Sequence, residues 1–156
     1  MDGKPLRPGA EEYADSEKYQ ARNWDLNRPN SLSDLLARLN RIRRENPALQ
    51  FDRTLRFHDA DNARVICCSK THGDNAILVA LNTDPFNVQW ANLKLDLSAL
   101  GLPADQPFQV HDLLTDSRYR WQGDRAIVKL DPGTSPAHVF AVRKRVRTEA
   151  DFEYFI

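Results

Sequence analysis

From Leu55 to Arg143 the apolar residues alternate with polar ones, and turn clusters repeatedly break the alternation. This pattern constrains the fold more than any other feature of the chain, because a strand with one apolar face must bury it against a second layer. Arg64–Ser69 and Ala76–Leu81 are runs rich in apolar and β-branched residues on either side of Thr71-His72-Gly73-Asp74, and they are predicted to pair as a hairpin. Ala76–Leu81 is apolar on both faces, as a central strand of a sandwich is. Val88 and Trp90 share one parity and Leu93, Leu95 and Leu97 the other, so a bulge is expected near Ala91–Asn92. Later strands are expected at Phe108–His111, Arg118–Trp121, Ala126–Leu130 and His138–Arg143, separated by Gly101-Leu102-Pro103, Thr115-Asp116-Ser117, Gln122-Gly123-Asp124 and Asp131-Pro132-Gly133. About eight short strands of this kind predict a mainly β fold, an antiparallel Greek-key-like β-sandwich.

One amphipathic helix precedes these strands. Leu32, Leu35, Leu36, Leu39 and Ile42 form a single apolar stripe at helical spacing. Asn30 or Ser31 can cap its start, with Asp34 three residues after Ser31. Arg43 and Arg44 suit the negative end of the helix dipole. Pro47 disfavours helical geometry at Asn46 and so ends the helix, which is expected over 31–45. A lone helix of this length is marginal in water. It is therefore expected to dock on one sandwich face through Leu35, Leu39 and Ile42, or to pair with a second copy of itself.

Composition narrows the function classes. With 156 residues the chain is one domain, or one domain plus a flanking piece. Lys and Arg total 22, as do Asp and Glu. A zero formal charge argues against a nucleic-acid partner or an anionic membrane. The basic cluster Arg143, Lys144, Arg145 and Arg147 is followed by Glu149, Asp151 and Glu153 and reads as a solvated tail over 144–156. The polar start MDGKPLRPGAEEY does not resemble a secretory leader, and Ala76–Leu81 is far too short to span a bilayer. Cys67 and Cys68 are adjacent and point to opposite faces of a strand, so no mutual disulfide is expected, and a reducing, cytoplasmic location is the simplest reading.

No chemistry stands out from the residues alone. His58, His72, His111 and His138 have no ligand spacing and read as surface or edge-strand residues, so no metal site is expected. The six glycines are scattered singly, and neither a phosphate-cradling loop nor a nucleophile elbow is present, so no cofactor is expected. Glu11, Glu12, Asp15, Glu17 and Asp25 crowd one segment, whereas glycosyl transfer needs two carboxylates facing each other across a cleft. Lys18 and Tyr19, with Trp24 nearby, could grip a sugar by charge and ring stacking, or could anchor a loop on a neighbouring surface.

The string from Glu11 to Leu49, with its Ser16-Glu17-Lys18-Tyr19 and Trp24-Asp25-Leu26 segments, closely resembles the end of the catalytic barrel in the α-1,4-glucan:maltose-1-phosphate maltosyltransferases, of the α-amylase superfamily. The strand-rich remainder resembles the sandwich domain that follows the barrel there. The resemblance implies that residues 1–49 are the last loop and helix of a (β/α)8 barrel, that 50–143 are the C-terminal sandwich, and that the nucleophile, general acid and third essential carboxylate lie upstream. No catalytic residue is then expected in this chain. Lys18 and Tyr19 match the donor-binding pair of the family. Asn23 stands where the family commonly has His, and Asn27 and Asn30 replace two aspartates. The implied partners, in the full-length enzyme, are maltose 1-phosphate and α-glucan; a homo-oligomer is compatible with the sequence. Alone, the chain is expected to be inert, with residues 1 to about 25 poorly ordered for want of the barrel. Two other readings stand beside this one. The first is a carbohydrate-binding sandwich using Phe86, Trp90, Tyr119 and Trp121, although core packing is the expected role for most of these rings. The second is the C-terminal domain of a related hydrolase or trehalose synthase.

Overall fold

The computed structural model describes residues 6–9, 25–29 and 31–143. The chain divides between Asp34 and Leu35 into two units. In the first, Asp25 accepts from the Asn27 amide, and Ser31 Oγ accepts from the Ser33 amide just ahead of the helix.

Helix α1 (Ser33–Glu45) carries Asp34 in its first turn and Arg43 and Arg44 in its last. It stops where the sequence says it must: Asn46 is extended, with φ −116° and ψ 102°, ahead of Pro47. A short 3-10 turn (Pro47–Gln50) follows. The Asn46 side chain donates to the Ile42 carbonyl and accepts from Asn75 Nδ2, while Asn75 Oδ1 accepts from the Ala48 amide. These bonds tie the end of the helix to the sheet.

Among the described residues eight antiparallel strands follow: β1 (Arg56–Ala60), β2 (Val65–His72), β3 (Asn75–Asn82), β4 (Gln89–Lys94), β5 (Phe108–Asp112), β6 (Arg118–Trp121), β7 (Arg125–Leu130) and β8 (Ala137–Arg143). They form one sheet in the order β6-β5-β8-β3-β2-β1-β4-β7. Strands β1, β2 and β3 make a meander, and β4 returns to lie beside β1, which is a Greek key. The predicted hairpin is present, its register running from Val65↔Asn82 to His72↔Asn75. Gly73 takes a left-handed φ of 56° in its turn.

The sheet folds over so that the inner faces of β4 and β7 meet those of β2, β3, β5 and β8. Leu78, Leu93, Phe108, Val110, Leu130 and Phe140 fill the space between and are essentially inaccessible to solvent. The outer face of β3 and β8 holds a smaller cluster, in which Ile42 and Ala48 pack on Ile77 and Val139.

Three expectations change. There is no bulge at Ala91–Asn92: pairing runs unbroken from Gln89↔Leu130 to Lys94↔Arg125, with Ala91 inward beside Leu93 and Trp90 outward. Helix α1 is held through its last turn, because Ile42 is buried while Leu35 and Leu39 remain 45% and 38% exposed. Three of the histidines are not surface residues: His58 is buried, and the His111 and His138 side chains are largely enclosed. Cys67 and Cys68 are free, the first buried and the second half-buried on the opposite face.

Candidate functional site

Lys18 and Tyr19 lie outside the described residues, as do the carboxylates from Glu11 to Glu17, Asn23 and Asn30. Among the described residues there is no group of His, Cys, Asp and Glu that could hold a metal ion. Cys67 is no nucleophile, since burial pushes its thiol up to about 12.

What the fold does assemble is a cleft at the seam of the sheet. Strands β6 and β7 are consecutive and are joined by the tight turn Gln122–Asp124, where Gly123 has φ 75°. Yet they lie at opposite ends of the strand order and make no ladder with each other. Between them opens a cleft of about 350 Å³, lined by Trp90, Tyr119, Trp121, Ile127, Val128, Lys129, His138 and Phe140. Tyr119 and Trp121 reach it from the inner side of β6, paired with Val110 and Phe108 of β5. Trp90, Ile127 and Lys129 reach it from the outer side of β4 and β7, and Lys129 Nζ lies 5.7 Å over the Trp90 ring.

The aromatic wall is a set of edge-on contacts. The Phe140 ring meets Trp121 at 5.1 Å and 68° and Tyr119 at 6.2 Å and 86°. Trp121 also meets Phe108 edge-on. Trp121 therefore does the core packing expected of it, whereas Trp90 and Tyr119 are 59% and 44% exposed. Phe86 is 88% exposed and does not line the cleft.

His138 closes the floor, its ring stacked at 5.2 Å on Phe140. Its Nδ1 lies 2.8 Å from Asp112 Oδ2 and its Nε2 lies 3.1 Å from the Lys129 carbonyl. Both partners are acceptors, so a doubly protonated imidazolium satisfies both at once. The Asp112 hydrogen bond leads the influences that hold His138 above its ordinary pKa, against the opposing effect of burial. Burial would raise the Asp112 carboxyl, but bonds from His138, Thr115 and the Leu114 and Val139 amides outweigh it and hold the group below the usual range. Asp112 is fully buried, and its four donors fix the β5–β6 turn against β8. It thereby sets the strand that carries Tyr119 and Trp121. No spacing in the sequence pointed to this pair, because the two residues are 26 positions apart.

Solved structures place the fold first. The chain superposes on a maltogenic α-amylase from Thermotoga neapolitana with a TM-score of 0.56 at 21% identity, covering 72% of this chain and 26% of that one. An α-amylase from Geobacillus thermoleovorans gives 0.56 at 18% identity, covering 79% and 25%. The architecture is thus that of a β domain found within α-amylases. The sequence is more specific: residues 57–142 match the family described as "GLGE, C-terminal", and the chain belongs to that family. It is 48% identical over 134 residues to the α-1,4-glucan:maltose-1-phosphate maltosyltransferase of Salinibacter ruber, covering 86% of this chain and 20% of that protein. The enzyme of the same name from Myxococcus xanthus is 44% identical over 156 residues, covering 99% and 23%. The chain spans about a fifth of the length of these curated relatives. Among the described residues no helix is long and apolar enough to cross a membrane.

Proposed function

We propose that this chain is the C-terminal, non-catalytic part of a retaining maltosyltransferase that moves maltosyl units from maltose 1-phosphate to α-1,4-glucan. Residues 1–49 are the end of its barrel, 50–143 its sandwich and 144–156 a tail. The observation that carries this reading is the alignment with the Myxococcus xanthus enzyme over 99% of the chain, which reaches past the sandwich into the N-terminal segment. The apolar surface supports it. Leu35, Leu36 and Leu39 of α1 and Phe57, Ile66 and Leu81 of the sheet are all exposed. Burying such surface is what a preceding barrel would do. Lys18 and Tyr19 contact the donor in the intact enzyme, and the chain alone turns nothing over. A cytoplasmic location fits Cys67 and Cys68, both free thiols on one strand.

The test is a chimera in which this chain replaces the matching C-terminal part of the Myxococcus xanthus enzyme. Phosphate release from maltose 1-phosphate in the presence of glycogen is expected from the chimera and not from the isolated chain. Lys18→Ala and Tyr19→Ala in the chimera should raise KM for maltose 1-phosphate by at least about tenfold, a loss of about 1.4 kcal/mol. Phosphate release by the isolated chain would overturn the inert assignment. A folded chimera with no turnover would overturn the family function proposed for it.

A further inference from the structure

We infer that the cleft between β6 and β7 is a binding site for an α-1,4-glucan chain, built from residues other than Lys18 and Tyr19. A sugar ring has an apolar face of C–H groups and a rim of hydroxyls, so its binding site needs exposed aromatic rings beside hydrogen-bonding groups. The cleft offers both. Trp90 and Tyr119 border it with large fractions of their surfaces in solvent, although the fold has an apolar interior that could have taken them. Trp121 and Phe140, locked edge-on, make a rigid apolar wall. Tyr119, Lys129 and Trp121, among the lining residues, carry donor groups, and the tyrosine hydroxyl also accepts. Strands β6 and β7 make no ladder with each other across the gap, so no strand pairing fills it. The His138 ring, fixed at both nitrogens, holds β8 to β7 across the gap and keeps the cleft from collapsing. At about 350 Å³ the space suits one or two sugar rings of a longer chain. An open cleft with two stacking rings gives weak binding, useful for tethering a long polymer that is also held at other points. The stacking chemistry stands on the cleft alone; the choice of α-1,4-glucan rests on the function proposed above.

The experiment is a titration of the isotope-labelled 156-residue chain with maltoheptaose, followed by amide and indole NMR shifts, with cellohexaose as the comparison. The expected result is a dissociation constant between about 0.1 and 10 mM, with shifts centred on Trp90, Tyr119, Trp121 and Lys129. Trp90→Ala, at an exposed position, should weaken binding at least about tenfold. Phe86→Ala, which removes an exposed ring outside the cleft, should leave it unchanged. No shift at about 20 mM maltoheptaose would overturn the site. So would shifts located elsewhere, or binding that Trp90→Ala does not weaken. An equal response to cellohexaose would overturn the assignment to α-1,4-glucan. None of these failures touches the chimera assay, where the reading of the family function stands or falls separately.

Discussion

His58 and His138 are both enclosed, and their surroundings push them in opposite directions. His58 Nε2 lies 2.8 Å from Ser69 Oγ, and its Nδ1 accepts the Asp96 amide at 3.0 Å. That acceptor role requires a neutral ring. Burial, foremost, depresses its pKa; Arg56 adds to this, and Asp96 and Asp59 oppose it. The unfolded chain therefore takes up a proton at His58 below about pH 6.5 that the fold resists, and stability falls as pH drops from there toward the folded pKa. His138 has a raised folded pKa, so its contribution is complete below about pH 6.5 and fades as pH rises through the folded value. Asp112, depressed, contributes above about pH 4 and loses that contribution as pH falls through its folded pKa. Urea midpoints measured across pH should show this: in His138→Gln the decline above about pH 6.5 is reduced, and in His58→Gln the acid-side decline below it is reduced. The slope against pH is the readout, not the absolute midpoint. Asp112→Ala strands His138, the Thr115 hydroxyl and two amides, and should cost about 3–5 kcal/mol in the same unfolding measurement. Neither histidine's role was legible in the sequence, because Asp112, Ser69 and Asp96 become neighbours only through strand pairing.

Element by element, the sequence was most readable where side chains obey the inside-apolar rule and least readable where they invert it. β3 is central and apolar on both faces, and its unbroken apolar run beside a turn cluster identified it. β1 (RFHDA) was missed as a strand because its inward residue is His58 while Phe57 faces out at 65% exposed. β4 invited a spurious bulge for the same reason: Trp90 faces out and small Ala91 faces in, so reading Trp90 as a core residue forced a break in parity that the ladder does not contain. The helix was located correctly from its stripe and from Pro47, but the stripe overstates how much of it is buried. Here Ile42 is the one buried apolar residue of the helix, with Ala48 just beyond it, while Arg38 adds a hydrogen bond to the Leu114 carbonyl. Ile42→Ala should therefore cost about 2 kcal/mol or more in urea unfolding. Leu35→Ala and Leu39→Ala should each stay within about 0.5 kcal/mol, as substitutions at solvated positions do. Comparable losses at all three would mean that the helix is seated along its whole length.

At the scale of the molecule, inverted residues gather where one domain is insufficient. Phe57, Ile66 and Leu81 share the outer face of β1, β2 and β3, the same face whose far end receives Ile42 and Ala48. Sequence alone could not single out this surface, because a strand that is apolar on both sides looks the same whether its second face meets a helix, another domain or solvent. The relatives are about four times the length of this chain, and in the function proposed above the upstream part covers this surface. This makes a prediction for native-state hydrogen exchange. In the isolated chain, amides of β2 and β3 should be the slowest to exchange, since both strands are paired on each side and lie over the main core. The first turns of α1, with Leu35, Leu36 and Leu39 in solvent, should exchange early by local fraying, and protection should rise only near Ile42. In the chimera with the upstream part of the Myxococcus xanthus enzyme, the preceding barrel should cover the stripe. Burying even part of three leucine side chains is worth more than about 1.4 kcal/mol, so α1 protection should rise at least about tenfold while β2 and β3 change little. Exchange across α1 that is equally slow in both proteins would mean that the helix does not depend on the upstream part of the chimera. Equally fast exchange in both would mean that its apolar face belongs to some other partner.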